Sequence, residues 1–109
     1  MPHYLIAQVK ITDDSWIPEY AAKVPDIIHR HGGRYLSRSA NITRVEGDQP
    51  DLDLVAIVEF PDMESLQAFV SDPDYEPFRA ARQNGAHSQL FAIDATDVLG
   101  AIDYLAPDK

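Results

Sequence analysis

All six arginines and three of the four histidines of this chain fall in two stretches that contain no carboxylate, residues 27–45 and 77–93, while its 18 Asp and Glu residues lie elsewhere. The first stretch holds His29, Arg30, His31, Arg34, Arg38 and Arg44, and the second Arg79, Arg82 and His87. A chain of net charge -9 thus keeps two cationic islands, and such islands suit an anionic small molecule, because guanidinium groups grip carboxylate or phosphate with paired N–H donors. Arg34 and Arg38, four apart on an extended segment, are expected to share a face with Leu36 and could clasp one carboxylate; the alternative is edge arginines pairing with surface acids. Arg79 and Arg82, three apart on a helix, could bracket the same anion or form ion pairs with Asp74 or Glu76.

Proton-transfer candidates are fewer. Glu59 shares a strand face with Val55 and Ile57, where an unpaired carboxylate would be costly or have a raised pKa. If that face lines a cavity, Glu59 is the best general base; otherwise it is a strand-end glutamate leaning into water or onto an arginine. His31 ends an apolar helical stripe and could move a proton near neutral pH, or sit partly buried on one hydrogen bond. Gln8, on the same type of face of the first strand, is a candidate orienting donor. Tyr35 and Tyr75 could offer hydroxyls to a ligand, though tyrosines on amphipathic elements mostly fill cores with a wet tip.

Several chemistries lack support. Without cysteine there are no disulfides, thiolates or thiolate metal sites. His29 and His31 diverge on a helix by about 200°, so they cannot chelate one ion, and no metal ligand set is expected. No nucleotide loop or nucleophilic serine turn is present, so any chemistry is expected to need no cofactor. The acidic pI, about 4.6, argues against nucleic acid. No basic, apolar leader or membrane-spanning run is seen, so a cytoplasmic protein without a membrane partner is expected.

The elements that position these residues follow from periodicity. At 109 residues and 45% hydrophobic content, one domain is expected. Residues 4–11 alternate, with Leu5, Ala7, Val9 and Ile11 on one wholly apolar face. A first helix is expected over 16–31, bent or divided at Pro25 and closed by Gly32 and Gly33. Strands are expected over 34–40 and 52–60, with a polar connection at Gly47, Asp48, Gln49 and Pro50. Asp62 should cap a short helix carrying Met63, Leu66, Phe69 and Val70. Asp72-Pro73 reads as the start of a third helix that runs to about Asn84, and residues 88–95 as a fourth strand. The order strand, helix, strand, strand, helix, strand is that of the split βαβ, ferredoxin-like α+β fold with a four-stranded antiparallel sheet, here with an extra helix before the last strand. It occupies residues 1–96, and an apolar extension, 97–109, is expected to pack on the domain or on a partner. Ile6, Val55 and Ile57 on the helix-free face would leave a large apolar patch in water, so a second sheet, and hence a homodimer, is expected to cover it.

The runs HGGRYLSR (31–38), EG (46–47), VEFPDMESLQAF (58–69) and DPDYEPFRAAR (72–82) resemble domain of unknown function family 1330. The resemblance covers about residues 3–95 and implies a dimeric α+β barrel, in which two sheets face each other around a cavity in each subunit. It implies no reaction. Related barrels include cofactor-independent monooxygenases, lactone isomerases and dehalogenases, so three readings stand. The first is a protein binding an anionic or polar metabolite in an inter-sheet cavity. The second is a cofactor-independent enzyme that abstracts a proton with Glu59 or His31 and steadies the enolate with arginine. The third is a structural dimer without a ligand.

Overall fold

A computed structural model describes residues 1–48 and 51–99. The elements run β1 (His3–Ile11), α1 (Ile17–Arg30), β2 (Arg34–Ser39), β3 (Leu54–Phe60), α2 (Met63–Val70), α3 (Glu76–Gly85) and β4 (Ala86–Asp94). The strands form one antiparallel sheet in the order β2-β3-β1-β4. This is the ferredoxin-like arrangement, with β3 and β1 in the centre of the sheet.

The apolar face of β1 packs under the helices as its spacing predicts. Leu5 and Val9 on β1 and Ala56, Val58 and Phe60 on β3 are buried, and Leu5, Val58 and Phe60 cluster with Val24, Ile27 and Ile28 of α1 and Leu66 and Phe69 of α2. Phe69 links the layers, stacking on Phe60 at 5.6 Å between ring centroids and lying 4.3 Å from the Tyr75 ring. Offset aromatic contacts of this kind add to the burial of the rings themselves.

The expected elements are refined or corrected at four points. Of the two outcomes expected at Pro25, a bend or a division, the division does not occur: α1 continues through it as one helix, and its buried neighbours Val24, Ile27 and Ile28 hold the helix on the sheet despite the missing N–H. Asp72-Pro73 does not begin α3. The Asp72 carboxylate accepts a hydrogen bond from the Asp74 backbone N–H at 2.8 Å, and the Asp72 carbonyl accepts one from Tyr75 N–H at 3.0 Å, so these residues close a turn and the helix starts at Glu76, with Pro77 in its first turn. The strand expected over 52–60 begins at Leu54, and β4 begins at Ala86.

Glycines end α1 as expected. Gly33 N–H returns to the Ile28 carbonyl and Gly32 N–H to that of His29, with Gly32 at φ +79°. This paired closure needs the left-handed backbone that glycine adopts without strain. Asp62 caps α2 by accepting from Ser65 N–H at 2.7 Å. Of the polar connection, Gln49 and Pro50 lie outside the described residues, as does the C-terminal extension from residue 100 onward.

The face of the sheet away from the helices is apolar along its middle. Cross-strand neighbours there include Ile6 with Ile57 and Phe91 and, one pair further along, Tyr4 with Glu59 and Ile93. Phe91 is 45% exposed and Ile93 55%. No described helix is long and apolar enough to cross a membrane.

Candidate functional site

A cavity of about 360 Å³ lies between the sheet and the helices. Its floor is the apolar face of the sheet, Leu5, Val9, Ala56 and Val58 among others, and its roof comes from Trp16, Ile17 and Tyr20 at the start of α1. An inter-sheet cavity would be shared with a second sheet; this cavity belongs to one subunit and lies on the helix side of its sheet.

Arg82 from α3 lines this cavity and is 5% exposed. Its Nη1 donates to Tyr75 Oη at 2.7 Å and to Tyr20 Oη at 3.2 Å, and its Nε to Ser88 Oγ at 3.3 Å. Every one of these partners is a neutral hydroxyl, and among the described residues no carboxylate pairs with Arg82. Burial works against its charge, but the Tyr75 and Tyr20 oxygens outweigh burial and hold the guanidinium above its ordinary pKa. Nη2 has no hydrogen-bond partner among the described residues. Buried charges are ordinarily paired, so a buried guanidinium held only by neutral hydroxyls among the described residues is unusual.

The phenols add a donor. Tyr20 and Tyr75 oxygens are 3.2 Å apart and both accept from Arg82. One hydroxyl can donate to the other, which leaves the second O–H hydrogen free for a ligand. Burial is the main influence on the Tyr20 phenol and raises its pKa, with Tyr75 adding to the rise and Arg82 opposing it, so Tyr20 stays neutral at physiological pH. Trp16 packs edge-on against Tyr20, with centroids 5.1 Å apart, and its indole N–H donates to the Gly85 carbonyl at 3.2 Å. A Cβ on Gly85 would collide with the Trp16 ring, so the end of α3 can sit beneath this indole only as glycine.

Arg38 also lines the cavity, and a β-bulge puts it there. Tyr35 pairs with Val58 and Ser37 with Ile57, so Leu36 is an extra residue in β2 and the alternation is reset beyond it. Arg34 therefore lies opposite Glu59 on the helix-free face, while Arg38 lies opposite Ala56 on the cavity face. The expectation that Arg34 and Arg38 share a face is corrected for this reason. The Arg38 guanidinium stacks over the Tyr35 ring, 4.3 Å from its centroid, and is exposed at the cavity's edge. Burial raises the Tyr35 phenol pKa, with Arg38 pulling the other way.

The other sequence-derived candidates lie outside this cavity. Glu59 accepts from Arg34 Nε at 2.8 Å on the helix-free face, which leaves a general-base role there without access to the enclosed space. His31 Nε2 donates to Asp72 at 2.7 Å, beside Arg30, which reaches the same carboxylate at 2.6 Å. Hydrogen bonds from His31, then Arg30, hold Asp72 well below the usual carboxylate range, and the cluster ties the end of α1 to the turn before α3. Arg79 donates to the Val70 carbonyl at 3.0 Å, closing the end of α2 instead of pairing with Asp74 or Glu76. Gln8 faces a shallower concavity of about 390 Å³ with Lys10, Asp51, Gln83, His87 and Gln89, where Lys10 is already paired with Asp51 at 3.1 Å. Among the described residues no cluster of three or more His, Asp or Glu side chains could hold a metal. Trp16 and Tyr20 were not singled out from the sequence. Tyr20 reads as one more member of the α1 apolar stripe, and only the fold brings its hydroxyl to Arg82, 62 residues away.

A four-stranded antiparallel sheet with all three helices on one face defines a ferredoxin-like α+β protein. The chain belongs to the domain of unknown function family DUF1330, whose family model matches residues 2–96. Among solved structures it is similar to a protein of unknown function from Rhodopseudomonas palustris, with 17% identity, a TM-score of 0.72 and coverage of 88% of this chain and 83% of that one. It is also similar to SnoaB, a cofactor-independent oxygenase from Streptomyces nogalater, with 12% identity, a TM-score of 0.63 and coverage of 88% and 94%. A dimeric ferredoxin-like protein of unknown function from Thermobifida fusca matches at 14% identity, with a TM-score of 0.55 and coverage of 86% and 91%. No curated protein matches the chain.

Proposed function

We propose that this protein binds a small, largely apolar anion in the cavity between sheet and helices, with Arg82 as its charge partner, a Tyr20 or Tyr75 hydroxyl as second donor, and Arg38 attracting the anion to the entrance. The observation that carries this reading is Arg82 itself, 5% exposed and bonded only to neutral hydroxyls among the described residues. A chain that retains a buried cation without a counter-charge bears a cost that a ligand would offset. A ligandless structural dimer gives no reason for that cost.

The enzyme alternative has less support. Proton abstraction needs a base in reach of the substrate, and the carboxylate that lines the cavity, Asp53, already accepts from Ile11 N–H at 2.8 Å with Lys10 3.7 Å away. Cofactor-independent turnover of a bound anion stays the second reading, for which the cavity supplies a buried cation, Arg82, but no free base. Dissolved-oxygen consumption with each bound compound separates turnover from binding.

The proposal includes a homodimer formed through the helix-free face, supported by the apolar Ile6, Ile57, Phe91 and Ile93 there, and a cytoplasmic location. Thermal shift against small anions and their neutral isosteres tests the binding reading. A ligand at about 100 times its Kd adds roughly 2.7 kcal/mol, on the order of a 10 °C rise in Tm for a domain of this size. The rise should be lost in Arg82→Gln and kept in Glu59→Gln. Equal shifts with the neutral isosteres would overturn the reading.

A further inference from the structure

We propose that the ligand is an apolar monocarboxylate, bound with its carboxylate inward on Arg82 and its apolar body lying over Leu5, Val9, Ala56 and Val58. The inference rests on the binding function proposed above and narrows it to a chemical class and an orientation.

One buried guanidinium can neutralise one negative charge, and the cavity's other arginine, Arg38, is exposed and stands on β2, at the opposite edge of the sheet from β4, to which Ser88 ties Arg82. A dianionic phosphate head at Arg82 would keep a second charge over an apolar floor, where desolvation penalises it. Phenols and alcohols are neutral at physiological pH, and the described cavity wall offers no free base to ionise them, since Asp53 is engaged by Ile11 and Lys10. A carboxylic acid is already ionised there.

Donor geometry points the same way. Arg82 Nη2 carries two N–H groups without a partner among the described residues, and the Tyr20 and Tyr75 pair has one O–H hydrogen to spare. These donors suit an acceptor with two oxygens, which a carboxylate presents and a single phenolate oxygen does not. The orientation follows from burial: the charged end of the ligand must meet Arg82, which is 5% exposed, so its apolar end points back toward the rim where Arg38 is exposed.

The test uses the chain's single tryptophan, Trp16, which lines the cavity. Its fluorescence is followed during titration of the full chain with a series of ω-phenylalkanoic acids, their primary amides, a phenol and phenyl phosphate. The acids should bind saturably and at least 30-fold more tightly than their amides. Affinity should rise about fourfold for each methylene added, until the ring reaches the rim. Acid and amide binding equally would overturn the carboxylate assignment. Phenol or phenyl phosphate binding more tightly than every acid would overturn the carboxylate class while the anion-binding function stands. Affinity falling from the first added methylene would overturn the inward orientation, and no response to any compound would overturn both the class and the binding function it rests on.

Discussion

Replacing Arg82 with Met should separate what this residue does for the fold from what it does for a ligand. The side chain makes one short hydrogen bond, 2.7 Å to Tyr75, and two long ones, 3.2 Å to Tyr20 and 3.3 Å to Ser88. A hydrogen bond to a charged group contributes about 1.5–3 kcal/mol and the long ones less, so losing all of them forfeits about 3 kcal/mol. Against this, a cation buried without a counter-charge costs several kcal/mol in desolvation, which an apolar side chain of similar length avoids. The two phenols, 3.2 Å apart, still have each other. The terms nearly cancel, so the Arg82→Met protein should unfold within about 4 °C of the parent, on either side, corresponding to about 1 kcal/mol in a domain of this size. Anion binding should behave differently. Removing one partner of a buried charge-assisted contact costs about 2–5 kcal/mol, a loss of roughly 30-fold or more in Kd. Differential scanning calorimetry gives the first quantity and Trp16 fluorescence titration the second. A fall in Tm of more than about 10 °C would show that Arg82 is a structural tie, and unchanged affinity would refute the charge-partner argument.

Three further outcomes are expected. Phe91→Asp puts a charge in the middle of the apolar helix-free face, so it should shift sedimentation from dimer to monomer at micromolar concentration while Trp16 still responds to anions; an unaltered sedimentation profile would count against that interface. Gly33→Ala places a Cβ 2.7 Å from both Ile28 Cγ2 and Phe60 Cε1, and overpacking of this kind should cost about 1–3 kcal/mol in urea unfolding; a neutral effect would mean that the β2 entrance yields easily. Asp72 has a depressed folded-state pKa, caused by His31 and then Arg30, so its stabilisation is present above the unfolded value near about 4 and is lost as pH falls through the folded one. In Asp72→Asn the drop in Tm between about pH 5 and pH 2 should therefore be shallower than in the parent, and parallel curves would contradict the assignment.

Local sequence was a good guide wherever the cause of structure was itself local. The alternation of Leu5, Ala7, Val9 and Ile11 predicts a buried face for β1, Asp62 predicts a capped helix, and Gly32-Gly33 predicts a helix end; each depends on a few neighbouring residues. The strand and helix order then leads to the ferredoxin-like sheet. Sequence reading misled where a single inserted residue or a distant partner decides. Period-two counting puts Arg34 and Arg38 together, and only pairing with β3 reveals that Leu36 bulges and separates them. Asp72-Pro73 carries a strong helix-start signal, yet the side-chain bond from Asp72 to Asp74 N–H spends those residues on a turn. Glu59 lies on the face expected from its spacing, but its neighbour Arg34 and the helix side chosen by the cavity depend on tertiary packing. Arg82 was named as a candidate among several arginines; its distinction is burial among Tyr20, Tyr75 and Ser88, residues that approach only when α1, α3 and β4 assemble.

The most direct test of the account is a crystal structure of the chain grown with an ω-phenylalkanoic acid. The acid is expected between the sheet and the helices, its carboxylate oxygens within hydrogen-bond reach of Arg82 and of Tyr20 or Tyr75, and its ring over Val9 and Ala56. An acid seated instead at Arg34 on the helix-free face, or beside Lys10 and His87, with the Arg82 cavity unfilled, would contradict it.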